Sequence, residues 1–178
     1  KPNSKVLQDH RGSLNDMWKN VSSEELREML SQSISDQQFG VQRTQKMNEW
    51  LKQLQQGNSE MLQQQLDSAK ETMEAMLEAK TPEERQKLAS QLRRQLQDMK
   101  KFSSEKANSP ELENALNQAM KALEALAAKK QSGEAASEEE MQMAQEAAEA
   151  LRESLELSKT ELQELARSAK EMKQLEEA

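Results

Sequence analysis

Apolar residues recur at steps of three and four along most of this chain, the spacing that places them on one face of an α-helix. The pattern is most regular near the C-terminus, where an unbroken series predicts one helix of about 41 residues, about 61 Å long at 1.5 Å per residue. The series comprises Met141, Ala144, Ala148, Leu151, Leu155, Ser158, Leu162, Leu165, Ala169 and Met172. Within it, the predicted contact residues of a helix-to-helix interface are Leu151, Leu155, Leu162, Leu165 and Met172.

Three shorter helices are predicted before this one. Thr81-Pro82 and Ser109-Pro110 each place an N-cap residue before a proline at the first helical position, and Ser137 with Glu140 forms a capping box for the long helix. The stripes of these helices are Leu62, Leu66, Ala69, Met73 and Met76, then Leu88, Leu92, Leu96, Met99 and Phe102, then Leu112, Leu116, Ala119, Leu123 and Leu126. At Thr81-Pro82 a tight hairpin and a kinked continuous helix are both open, and the hairpin is favoured because the cap is complete.

Residues 1–57 are interpreted as an N-terminal segment with two short helices. The first begins at the capping box of Ser22 and Glu25 and fades near Gly40, and the second carries the stripe around Trp50 and ends at Gly57. Residues 58–178 are then an antiparallel bundle. The predicted fold class is all-α, an elongated antiparallel helical bundle or coiled coil with a long protruding C-terminal helix. Its overhang would be covered by the N-terminal helices, by another copy or by further chain, and the first is preferred.

The composition excludes most chemistry. The chain has no cysteine and a single histidine, which excludes disulfides, thiolate zinc sites, a cysteine nucleophile and a two-histidine di-iron site within one chain. We therefore expect no enzyme activity, catalytic residue, cofactor, metal or small-molecule substrate. No apolar run approaches the length of a membrane span and no signal peptide is visible, so the localisation stays open. Because the chain starts at Lys1 and stops within a helical pattern, we expect it to be part of a longer protein.

Charge is unevenly distributed over a chain whose net charge is −7. Residues 134–178 hold 13 acidic and 5 basic side chains, whereas residues 85–106 hold seven basic residues against two acidic ones. The basic surface predicted from this stretch comprises Arg85, Lys87, Arg93, Arg94, Lys100 and Lys101. Such a helix can lie on an anionic membrane or granule surface, or can be a solvated face attracted to the acidic last helix, which is favoured. Nucleic acid is not expected as a partner, because Phe102 is the only aromatic residue there and the chain is acidic.

The stretch from Glu60 to Phe102 resembles the phasins, helical coat proteins of polyester storage granules. The resemblance rests on a Gln-rich helix, the turn Ala79-Lys80-Thr81-Pro82-Glu83-Glu84 and a second helix, about a quarter of the chain. The long acidic last helix departs from the phasin pattern. The resemblance implies a coat protein that binds a granule or membrane surface.

The first functional hypothesis is a non-catalytic scaffold, spacer or protein-interaction module of a larger protein, which could be attached to a membrane. Its partners would be helices of another protein or of a second copy. The alternative is a phasin-like coat protein that binds an anionic membrane or granule surface through the basic amphipathic helix.

Overall fold

The computed structural model describes residues 40–128 and 137–177, in which every regular element is a helix. The predicted all-α helical bundle is therefore confirmed. We name the helices α1 (40–55), α2 (Glu60–Glu78), α3 (Pro82–Glu105), α4 (Pro110–Ala127) and α5 (Glu138–Glu177). The helix predicted after Ser22 lies outside the described residues. The chain divides into two compact units, residues 1–45 and 46–178, and the bundle belongs to the second.

The predicted helix starts of α3, α4 and α5 are confirmed by their capping hydrogen bonds. Thr81 Oγ1 accepts from the Glu84 N–H at 3.2 Å, and Ser109 Oγ accepts from the Leu112 N–H at 3.3 Å. Ser137 Oγ accepts from the Glu140 N–H at 3.2 Å. Each bond satisfies a donor that the first turn of a helix would otherwise leave without a partner.

The junction at Thr81 is a tight hairpin. Helix α2 ends at Glu78, and Ala79 and Thr81 have extended backbones with ψ of 132° and 149°. Helices α2 and α3 then pack side by side, and Gln95 Nε2 of α3 donates to Ser68 Oγ of α2 at 3.2 Å. The alternative of a kinked continuous helix is excluded, because a kinked helix would carry these two segments apart.

The four longer helices form a closed ring. Each helix packs on the next one along the chain, and α5 returns to pack on α2. The contact of α4 with α5 is the most extensive of the four, and that of α2 with α5 is the least extensive. Since α3 packs on α2 and α4, it lies diagonally across the ring from α5.

One continuous core runs through the ring. Its fully buried large side chains are Trp50, Phe102, Leu62, Leu66, Met73, Leu92, Leu96, Leu112, Leu116, Leu123, Leu151 and Leu162. The positions of the predicted stripes supply nearly all of this core, because a step of three or four residues keeps a side chain on one helix face.

Helix α1 joins the core through the stripe predicted for it, as Met47, Trp50 and Leu54 are buried. Trp50 meets Phe102 of α3 edge to face, with ring centroids 5.7 Å apart. Lys46 Nζ lies 5.2 Å from the centre of the same indole ring. Gly40, near which a helix was expected to fade, is itself helical.

Gly57 ends the α1 segment, as predicted, and it does so against α5. Its φ is +84°, a left-handed conformation that favours glycine. A Cβ atom at this position would lie 2.8 Å from Lys170 Cβ, closer than two carbon atoms approach without a shift. The turn between α1 and α2 therefore requires a residue without a side chain at position 57.

Helix α5 is 40 residues long, against 18 to 24 for α2, α3 and α4, so its ends extend past its neighbours. Met172 and Leu175 are 63% and 76% exposed. Of the N-terminal helices expected to cover this overhang, the end of α1 reaches α5 at Lys170 through Gly57, and the helix predicted after Ser22 lies outside the described residues. Among the described residues, the stripe of α5 continues in Met172 and Leu175 past the part of the helix that is buried.

Candidate functional site

The five residues predicted as a helix interface divide into two groups. Leu151, Leu155 and Leu162 are buried in the bundle, and Leu165 is partly buried against the same core. Their packing is therefore within this chain, which leaves them unavailable to a partner while the bundle is closed. Met172 alone is exposed. A contact between α5 and another protein is therefore predicted only at the ends of the helix, where apolar side chains are exposed.

Both ends of α5 expose apolar side chains. At the C-terminal end these are Met172 and Leu175, three residues apart. At the N-terminal end they are Met141 and Met143, 49% and 69% exposed. Methionine has a flexible and polarizable side chain, which suits contacts with surfaces of varied shape. The acidic residues Glu138, Glu139 and Glu140 complement the helix N-terminus beside the second pair.

The predicted basic residues of α3 do not share one side of that helix. Lys87, Arg94 and Lys101 are exposed and follow one another at intervals of seven residues, which places them in a line opposite the buried stripe. We call these three residues the basic ridge. Arg93 and Lys100 are partly buried on one flank of the stripe, and Arg85 is partly buried at the start of the helix, seven residues before Leu92 and in line with it.

Among the described residues, the ion pair that the basic stretch forms is with α4 and not with the acidic last helix, to which the favoured explanation assigned it. Arg93 Nε forms an ion pair with Glu124 Oε1 of α4 at 2.6 Å. Because α3 lies diagonally across the ring from α5, its basic ridge faces away from the acidic helix. The bundle therefore presents a basic ridge at one corner and an acidic face at the opposite corner.

Helices α2 and α5 are connected by four polar pairs, which we call the polar ladder. Asp67 Oδ1 accepts from Lys159 Nζ at 2.9 Å, and Glu74 Oε1 accepts from Arg152 Nε at 3.0 Å. The ladder consists of Gln63–Gln163, Asp67–Lys159, Lys70–Glu156 and Glu74–Arg152. Steps of four, three and four along α2 are matched by equal backward steps along α5. The ladder therefore defines an antiparallel register between two helices that are far apart in the chain.

The ladder also raises the pKa of two of its cations. The hydrogen bond to Glu74 raises the pKa of Arg152, although partial burial opposes the shift. The hydrogen bond to Asp67 raises the pKa of Lys159 in the same way, with a further contribution from the charges of Asp67 and Glu156. Both cations are held in the charged form by carboxylates of α2.

Sequence reasoning missed the ladder, although the sequence contains its signal. Along α2, Asp67, Lys70 and Glu74 alternate in sign as acid, base, acid. Along α5 the sequence Arg152, Glu156 and Lys159 alternates as base, acid, base at mirrored spacing. Comparing the outward charges of every helix pair in antiparallel register would have found the match.

The described part of the chain offers no group of three or more His, Cys, Asp or Glu side chains that could hold a metal ion. None of the helices in residues 40–128 and 137–177 is both long enough and apolar enough to cross a membrane.

Comparison with known proteins found no match to a family model, to a curated protein or to a solved structure.

Proposed function

We propose that this protein is a non-catalytic helical scaffold or spacer that binds other helical proteins at the ends of α5. The observation that carries the proposal is the exposed continuation of the α5 stripe at Met172 and Leu175. Inside the bundle the same stripe is covered by α2 and α4, so an uncovered stretch offers an equivalent surface to another helix. An amphipathic partner helix with apolar residues at steps of three and four fits such a surface.

Photo-crosslinking in the cells that produce the full protein tests this proposal. A benzophenone amino acid replaces Met172 in one variant and Glu153, on the exposed face of α5, in the control. We expect a discrete crosslinked product from position 172 only, and we expect Leu175→Glu to abolish it. Products of equal yield at both positions, or none at position 172, would contradict the proposal.

A second candidate is a coat protein on an anionic membrane or granule surface, and the basic ridge is the observation that favours it. Lys87, Arg94 and Lys101 project from one line on α3, where three cations reach a flat anionic surface together. The ridge makes no ion pair among the described residues.

Retention on vesicles at low salt tests the second candidate. The probe is a vesicle of equal parts phosphatidylcholine and phosphatidylglycerol. Reversing the ridge (Lys87→Glu, Arg94→Glu and Lys101→Glu) is expected to abolish retention. A control with the same change of charge on exposed lysines elsewhere (Lys52→Glu, Lys121→Glu and Lys173→Glu) is expected to keep most of it. Equal retention of the two variants, or no retention of the unmodified protein, would exclude a specific role of the ridge.

A further inference from the structure

The contact between α2 and α5 is the closing contact of the ring. Helices α2 and α3 follow each other through a three-residue turn, and α3 and α4 through a connection of four residues. Helices α2 and α5 are far apart in sequence, and their contact is the least extensive of the four. Among the four contacts of the ring, separating α2 from α5 would therefore disrupt the least packing.

The polar ladder lies along this contact and is accessible to water. In the pairs Lys70–Glu156 and Glu74–Arg152, each side chain is between two-fifths and two-thirds exposed. Water replaces such solvated partners readily, so exposed ion pairs add little to the strength of a contact. They set its register instead, because a shifted register would bring like charges together. The ladder thus guides the two helices into place without fastening them strongly.

Opening the ring along this line would uncover the apolar face of α3. In the closed bundle Leu92, Leu96 and Met99 are buried, so the ridge side of α3 can touch a membrane while its apolar side cannot. Once uncovered, that apolar face is bordered on one side by Arg93 and Lys100 and backed by the ridge. A helix with an apolar face and cationic flanks binds at the interface of an anionic bilayer.

We propose that the bundle opens between α2 and α5 and binds an anionic lipid surface through the uncovered apolar and basic faces of α3. The hairpin of α2 and α3 moves as one unit, because α2 and α3 are packed together and joined by the short turn at Thr81. The pair of α4 and α5, which has the most extensive contact, stays together. This proposal rests on the second candidate function, the coat protein.

A reversible crosslink across the ladder tests the opening. The chain has no cysteine, so two introduced cysteines are the only reactive thiols. Gln63→Cys with Gln163→Cys replaces the neutral pair that joins α2 to α5, whose amides lie 3.3 Å apart. Ser68→Cys with Gln95→Cys replaces a neutral pair that joins α2 to α3, with a separation of 3.2 Å, and serves as the control. Each pair is bridged with a short bis-maleimide reagent that contains a cleavable disulfide.

Binding to the same vesicles of phosphatidylcholine and phosphatidylglycerol is measured for both full-length variants before and after cleavage of the bridge. We expect the α2–α5 bridge to lower the affinity about tenfold or more, its cleavage to restore the affinity, and the α2–α3 bridge to have little effect. If the α2–α5 bridge leaves binding unchanged, the opening is wrong while the coat function stands. If the unmodified protein does not bind these vesicles, both are wrong.

Discussion

Trp50 and Phe102 meet edge to face with ring centroids 5.7 Å apart, which joins α1 to the end of α3. These two residues are half of the four aromatic residues in the chain. The indole N–H of Trp50 is buried and has no hydrogen-bond partner among the described residues. The stability that Trp50 contributes therefore comes from contacts of its ring, and one unsatisfied donor reduces it.

Replacing Trp50 with alanine is expected to lower the free energy of unfolding by about 3–5 kcal/mol, because the substitution leaves a cavity beside Phe102. Trp50→Phe is expected to lower it less, since the ring contact is partly kept and the unsatisfied donor is removed. Met143→Ala, at an exposed position, is the control and should change it by no more than about 0.5 kcal/mol. Urea unfolding followed by far-UV circular dichroism measures all three. A similar loss for Trp50→Ala and Met143→Ala would show that α1 does not pack as described.

Gly57→Ala is expected to destabilise the protein by about 1–3 kcal/mol, because alanine disfavours a positive φ and its Cβ would meet Lys170. Gly40→Ala is the matched control. Gly40 is helical and an added Cβ would have nothing within 4 Å, so that substitution should be neutral or should stabilise by up to about 1 kcal/mol. The same urea titration distinguishes them, and equal effects would refute the close approach at Gly57.

At the scale of single elements, the helix starts depend on side-chain caps that local sequence supplies. Thr81, Ser109 and Ser137 all form the capping bonds that their positions predict. Ser59 shows the limit of such reasoning. It precedes α2, but its side chain makes no cap bond and instead accepts from Gln63 Nε2 at 2.6 Å.

Thr81→Ala is expected to lower the free energy of unfolding by about 1 kcal/mol, because the Glu84 N–H loses its acceptor. Thr160→Ala gives a control with the same change of side chain. Thr160 is exposed in the middle of α5 and bonds only to the Glu156 carbonyl of its own helix, so alanine should cause no loss there. Thermal unfolding by circular dichroism reports the difference. A loss no greater at Thr81 than at Thr160 would mean that the cap bond does not hold the start of α3.

For the whole molecule, the arrangement of charges follows from the order of the helices around the ring. The basic α3 and acidic α5 are both evident in the sequence, but the ring places them at opposite corners. The same closure brings α2 against α5 and forms the ladder. Charges that are far apart in sequence thus become partners, while charges expected to attract each other are separated.

The ladder predicts a loss of stability at alkaline pH. The pKa of Lys159 is raised in the folded state by its hydrogen bond to Asp67, so the bond stabilises the protein below the ordinary lysine pKa of about 10.4. That contribution is lost as the pH rises through the higher folded pKa. The Lys159→Met variant should therefore be less stable than the unmodified protein at neutral pH. The difference in stability should shrink once the pH exceeds the pKa of Lys159 in the folded protein.

Urea titrations at neutral and at alkaline pH measure this difference, with Lys173→Met as the control at an exposed lysine of the same helix. The control should follow the unmodified protein at both pH values. A difference between Lys159→Met and the unmodified protein that stays constant with pH would contradict the assigned role of the ion pair.

The sequence alone determined the helices α2 to α5, the starts of α3, α4 and α5, and the positions that form the core. This information is local, because a side chain three or four residues away lies on the same face and a cap bonds within its own first turn. Ring order, the hairpin at Thr81 and the α2–α5 register were decided by tertiary structure. They depend on which faces meet when four similar stripes are buried together, and any one stripe is compatible with several neighbours. For that reason Leu151, Leu155 and Leu162 proved to be internal, Met172 stayed exposed, and the ladder became visible only once the ring was closed.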